Sequence, residues 1–142
     1  MVTDDRPGTG LREQYTIFNR REDVARVESA LMGAIEELKY DDATRFAVRL
    51  AFEECIANAF KHGNRGDDSK PVTIECDVQP AMIEIEVTDQ GPGFDPDAVP
   101  DPTQDENLEI PAGRGLLLMR AYMTSVDIMP PGNKVRMRYE RK

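Results

Sequence analysis

Glu54, Asn58 and His62 follow one another at intervals of four residues. On a helix that spacing sets a carboxylate, a carboxamide and an imidazole along one side. A carboxylate can take the proton of an attacking hydroxyl or water. A carboxamide oxygen is a hard donor suited to Mg²⁺, which keeps phosphates and waters as its other ligands. Lys61 could reach a phosphate from the helix end. The bland alternative is a solvated helix face, and Ala47 and Ala51 extend the same row with small side chains. A second group is Asp89-Gln90-Gly91-Pro92-Gly93. Its carboxylate can accept from an exocyclic amine such as that of adenine, and its glycines let a ligand approach the backbone closely. Any tight turn has a similar composition. A third group, Ala112-Gly113-Arg114-Gly115-Leu116, opens a helical pattern. Glycine-flanked amides at a helix start, with one arginine beside them, suit an anion; the alternative is a hinge.

These groups need elements to hold them. Residues 13–18 put Tyr15 and Ile17 on one face and predict a short strand after a loose tail over 1–12. Val24, Val27, Leu31, Ile35 and Leu38 predict a helix capped by Asn19 or Asp23. A second helix, over about 43–62, starts at Asp41 or Asp42 and ends at His62-Gly63 as a glycine cap. Val48, Phe52, Cys55 and Ala59 form its core stripe, which Phe46, Leu50, Ile56 and Phe60 widen. Strict alternation over 72–78 and 83–88, around Gln79-Pro80, predicts a hairpin with one buried face. Residues 90–112 break every pattern, with five prolines and six acids, and a loop of that length is usually functional, often a lid. A helix from Leu116 to Met123 and strands at 126–129 and 135–139, joined by Pro130-Pro131-Gly132-Asn133, complete the order. Strands and helices are grouped rather than alternating, which predicts an α+β, two-layer sandwich with a mostly antiparallel sheet and helices on one face.

The 142 residues suffice for one domain with a real core. The net charge of −9 argues against nucleic acid or an anionic membrane as the main partner. It leaves room for a nucleotide, since a divalent cation offsets phosphate charge locally. Cys55 and Cys76 sit in apolar patterns and read as buried thiols of a reducing compartment. With no apolar run of spanning length, the expectation is a cytoplasmic protein.

The ordered set of groups resembles the GHKL ATP-binding superfamily of gyrase, MutL and the histidine kinases, whose fold is the Bergerat sandwich. Residues 54–63 resemble its N-box, 89–93 its G1 box and 113–116 its G2 box. The resemblance spans roughly residues 13–140 and places the lid at about 90–114 within a single domain over 13–142. Among its members this small form looks most like the anti-sigma-factor serine kinases of the RsbW and SpoIIAB type. The resemblance then implies ATP and Mg²⁺ as cofactors, with Asn58 as metal ligand and Glu54 as general base. Asp89 would read the adenine amino group, with Gly91 and Gly93 shaping that end. Lys61, His62, Gly113, Arg114, Gly115 and Leu116 would belong to the nucleotide site, and Arg26 would touch protein partners. The implied partners are a STAS-domain antagonist as phosphate acceptor, a sigma factor, and a second copy of the chain meeting it through the first strand and first helix. The alternative is an ATP-binding switch that transfers no phosphate. A histidine kinase fragment is disfavoured by the lone His62, and a gyrase-like ATPase by the chain's length. One departure is the stretch Gly132-Asn133-Lys134, where gyrase-like members carry Gly-Thr before the last strand.

Overall fold

In the computed structural model, residues 10–92, 118–130 and 132–141 are described. Five strands form one sheet in the order β1-β2-β3-β5-β4. They are β1 (Leu11–Ile17), β2 (Val72–Val78), β3 (Met82–Thr88), β4 (Ser125–Met129) and β5 (Lys134–Glu140). Every neighbouring pair is antiparallel. Two helices, α1 (Arg21–Glu37) and α2 (Asp42–Asn58), precede β2. A helical turn covers 118–122.

The alternation expected for the hairpin sets the layers. Val72, Ile74, Cys76 and Val78 of β2 and Ile83, Ile85 and Val87 of β3 are buried on one face. The helical stripes Val27, Leu31 and Ile35 and Val48, Phe52 and Cys55 close on that face. The other face carries charge, with Arg136 of β5 donating to Glu86 of β3 at 2.9 Å. The α+β sandwich with an antiparallel sheet and helices on one face is therefore the observed architecture.

Several local expectations are corrected. β1 begins at Leu11, inside the span assigned to the tail, because the full seven-residue length of β2 pairs with it from Leu11 opposite Val78 to Ile17 opposite Val72. Helix α1 has Arg20 at its N-cap with no side-chain cap. Asp23 instead accepts from the Phe18 N–H at 3.0 Å, and Asn19 donates to Asp68. Asp41 does cap α2, accepting from the Thr44 N–H at 2.8 Å. Phe46 is no part of the core: it is 62% exposed, with its ring edge against Tyr122. Gly63 does not end α2 as a left-handed cap. The helix widens at Ala59–Gly63 into a π turn, with the Asn64 N–H bonded back to the Ala59 carbonyl at 2.8 Å. The left-handed residues come after it, at Arg65 (φ 55°) and Gly66 (φ 73°).

No helix among the described residues is long and apolar enough to cross a membrane. Of the expected lid, only Gln90, Gly91 and Pro92 lie within the described residues.

Candidate functional site

Asn58, at the last turn of α2, and Asp89, just past the end of β3, line one cavity of about 260 Å³. That volume is near the lower end for small-molecule sites. Its walls are otherwise mostly apolar: Cys55 and Ala59 from the helix side, Val87, Ile128 and Val135 from the sheet, and Met119 from the turn at 118–122. His62, Gly63, Arg65, Pro92 and Gly132 complete it.

The two ends are joined by backbone contact. A Cβ on Gly63 would stand 2.8 Å from the Asp89 Cβ and closer still to its carboxylate. A Cβ on Gly91 would stand 2.7 Å from the Gly63 carbonyl carbon, and closer to its oxygen. Neither glycine has a positive φ. Space, not conformational freedom, requires glycine at both positions. The Asp89 carboxylate accepts the Gly91 N–H through Oδ1 at 2.7 Å. Burial pushes its pKa above the usual carboxylate value, and that hydrogen bond pulls the other way. The Cys55 thiol, forced up to about 12 by burial with a smaller push from Asp89, is an apolar wall and not a nucleophile.

His62 is also held away from its ordinary titration. Burial, helped by the neighbouring Lys61, pushes its pKa down, so the ring is neutral at pH 7. Its Nε2 is buried and has no hydrogen-bond partner among the described residues. A neutral ring nitrogen in that state is a polar group that a ligand could satisfy.

Not every expected residue converges. Glu54 is half-buried one turn before Asn58, about 6 Å along the axis, and is not among the cavity's lining residues. Lys61 is exposed on another side of the helix end, along a separate groove with Asn19, Val24 and Phe60. Arg26 is exposed on α1, away from the cavity. Gly93, Gly113, Arg114, Gly115 and Leu116 lie outside the described residues. Conversely, the sequence reading misses Arg65, Met119, Ile128, Gly132 and Val135 as cavity residues. Ile128 and Val135 are legible as apolar strand residues but not as ligand-facing ones, since the alternation of a strand does not say which part of its inner face is left uncovered.

Among the described residues no group of three or more His, Cys, Asp or Glu side chains could hold a metal ion. A cation here would draw on the amide oxygen of Asn58 and take its remaining ligands from phosphate and water. That donor set fits Mg²⁺ carried in with a nucleotide, and not a resident structural metal.

Comparison with known proteins agrees with this geometry. Residues 17–139 match the histidine kinase-like ATPase domain family. The chain is 27% identical over 126 residues to the anti-sigma F factor of Clostridium perfringens strain SM101, a stretch covering 87% of this chain and 89% of that one. It is 26% identical over 118 residues to the anti-sigma F factor of Bacillus cytotoxicus, covering 82% and 80%. With the anti-sigma F factor of Bacillus cereus strain ATCC 14579 the figure is 25% over 118 residues, again covering 82% and 80%. The family match runs through both helices, strands β2 to β4, nearly all of β5 and both ends of the cavity, and the chain belongs to the histidine kinase-like ATPase domain family.

Proposed function

We propose that this chain is an ATP-dependent serine/threonine protein kinase that acts as an anti-sigma regulator, phosphorylating a STAS-domain antagonist and sequestering a sigma factor. The observation that carries the reading is the convergence of Asn58 and Asp89 on one cavity, fastened by the contact between Gly63 and Gly91. The names of the similar proteins supply the regulatory context.

In this reading the adenine enters against Val87, Ile128 and Val135, with its amino group on Asp89. Its phosphates extend past Asn58, where Mg²⁺ offsets their charge, and neutral His62 gives a further polar contact. Glu54 accepts the proton of the acceptor hydroxyl as that oxygen bonds the γ-phosphorus and ADP departs. On sequence grounds Gly93 is assigned, with Gly91, to the adenine end, and Gly113, Arg114, Gly115 and Leu116 to the phosphate end. A lid that excludes water favours transfer over hydrolysis. Arg26 is assigned to partner contact. The chain is further proposed to pair with a second copy through β1 and α1, and light scattering that finds only monomer at micromolar concentration refutes the pairing.

One observation favours a second reading. Glu54 does not line the cavity, which suits an ATP-binding switch that exchanges partners without phosphoryl transfer. Titration with ATP and ADP, with and without Mg²⁺, on the unaltered protein and on Asp89→Asn tests the nucleotide site. No adenine nucleotide bound by either protein refutes both readings. Glu54→Ala then separates them: the kinase reading expects retained ATP binding with phosphate transfer lost. An unaltered protein that binds ATP but transfers nothing to STAS-domain acceptors leaves the switch.

A further inference from the structure

The Asp89-Gln90 turn is gripped from two sides by asparagines that do not line the cavity. On one side stands Asn64, only 1% exposed. Its Oδ1 accepts the Gln90 N–H at 2.6 Å, and its Nδ2 donates to the carbonyls of Lys70 at 2.9 Å and Pro71 at 3.3 Å. Its own N–H closes the π turn on Ala59. One side chain thus ties the end of the Asn58 helix, the entry to β2 and the turn that carries Asp89. On the other side Asn133, in the β4–β5 turn, makes a reciprocal pair. Its carbonyl accepts the Asp89 N–H at 2.9 Å, and its Nδ2 donates to the Asp89 carbonyl at 3.2 Å.

Between them the two asparagines hold both peptide groups that follow and precede the Asp89 side chain. Oδ1 of Asp89 is already taken by the Gly91 N–H. The aim of the remaining oxygen therefore follows from the backbone and from Gly63, against which it rests, and the backbone is set by amide hydrogen bonds to two residues distant in sequence. A carboxylate can select an amino-bearing base only if it stays where the amine arrives; a carboxylate free to swing aside would accept a base with no amine at little cost.

We propose that Asn64 and Asn133 are positioning residues that fix the Asp89 carboxylate for selection of a 6-aminopurine. The proposal rests on the ATP-site reading above and assigns its selectivity to residues behind the cavity wall.

The test compares dissociation constants, by calorimetry, for ATP and for purine riboside triphosphate, which lacks the 6-amino group. Thermal melts of each protein are recorded in parallel. The unaltered protein prefers ATP by about tenfold or more, the scale of one hydrogen bond to a charged group. Asn64→Ala reduces that preference to within roughly threefold, and Asn133→Ala, which keeps the backbone carbonyl's bond to the Asp89 N–H, reduces it by about twofold or more, while binding of the purine analogue is little changed. Asn64→Asp keeps an acceptor for the Gln90 N–H but loses the donors to Lys70 and Pro71. It retains the ATP preference despite a lower melting temperature. That pattern separates positioning from bulk stability. If the alanine variants melt earlier yet keep the full preference for ATP, the asparagines are structural only and the proposal is overturned. An unaltered protein that binds ATP and the analogue equally overturns it too, because there is then no selection to position. An unaltered protein that binds neither triphosphate overturns the nucleotide site itself, a distinguishable result. Should Asn64→Ala not fold, Asn133→Ala decides, since it removes the Nδ2 bond to the Asp89 carbonyl on the opposite side while the backbone carbonyl of residue 133 keeps the Asp89 N–H.

Discussion

Gly63→Ala tests the junction of the site with one methyl group. The new Cβ would stand 2.8 Å from the Asp89 Cβ, and nearer to its carboxylate. Ordinary carbon–carbon contact begins near 3.5–4.0 Å, so the Asp89 side chain or the π turn must move by about 1 Å. The side chain moves more easily than the turn, because the Gly63 carbonyl is itself packed on Gly91. Overpacking of this kind costs about 1–3 kcal/mol of stability, which for a domain of this size lowers Tm by roughly 3–10 °C. The larger effect falls on the ligand. If the displaced carboxylate loses its bond to the adenine amine, a charged hydrogen bond of about 1.5–3 kcal/mol is forfeited, and binding weakens roughly 10- to 150-fold. Fluorescent-nucleotide titration measures the affinity and a thermal melt the stability. The control is Gly33→Ala, at an α1 position where a Cβ meets nothing within 4 Å. A Gly63→Ala protein that binds ATP with unaltered affinity refutes the argument that Gly63 and Asp89 share one packed junction at the site.

Three further outcomes follow from the same geometry. Asp89→Asn separates stability from function. Because the folded-state pKa of Asp89 lies above the usual value, the folded chain binds that proton more tightly than the unfolded chain, and stability is lost as pH rises through the folded pKa. The asparagine variant therefore melts higher than the unaltered protein at pH 7–8 while binding ATP more weakly; a lower Tm there contradicts the sign. Glu28 gives a second pH effect: burial, then a hydrogen bond and repulsion from Glu53, raise it to about 7 despite Arg49 nearby. Its contribution is present below the usual glutamate range and lost as pH climbs through about 7. Glu28→Gln keeps a neutral hydrogen-bonding group beside Glu53, so the Tm difference between variant and unaltered protein widens from pH 5 to pH 8; a constant difference defeats the assignment. Phe52→Ala empties a fully buried site between α2 and the sheet and costs about 3–5 kcal/mol, measurable by urea unfolding, where a loss below about 1 kcal/mol would show that the core refills.

The fold is legible wherever burial alone decides a residue's place. Val27, Leu31 and Ile35 at helical spacing, and Ile83, Ile85 and Val87 in alternation, are buried as their periods require. That Asn58 and Asp89 line one cavity is anticipated by the order of their motifs, one at the end of a helix and the other at the end of a strand. What the sequence hides is where long-range partners overrule local preference. β1 reaches back to Leu11 because β2 is long enough to pair with it, which no pattern within residues 10–18 reveals. Gly63 has the setting of a helix cap, since a glycine after an apolar helical run is the usual sign of one. Its true constraint is a carboxylate 26 positions further along the chain. Phe46 sits one residue before a buried alanine, and only the packed structure shows that its ring lies outside, against Tyr122.

The same distinction explains why the site can be accurate on so short a chain. Loops ordinarily place side chains loosely, and a purine contact needs placement to within about half an ångström. Here the carboxylate proposed to read the purine leaves the end of β3, a strand paired on both sides by β2 and β5. Its opposite wall is a helix whose last turn is widened so that Gly63 can rest against Asp89. Had α2 continued as a regular helix through 63, each later residue would turn by a different angle about the axis, and Gly63 would no longer meet Asp89 at the same point. A substitution that restores α-helical hydrogen bonding over 59–63 would therefore be expected to raise local helix stability and to weaken nucleotide binding together. Hydrogen exchange at the Asn64 amide, now bonded to the Ala59 carbonyl, reads the first effect, and nucleotide titration reads the second. If exchange slows while affinity stays constant, the widened turn is incidental to the site and the glycine contact alone sets its geometry.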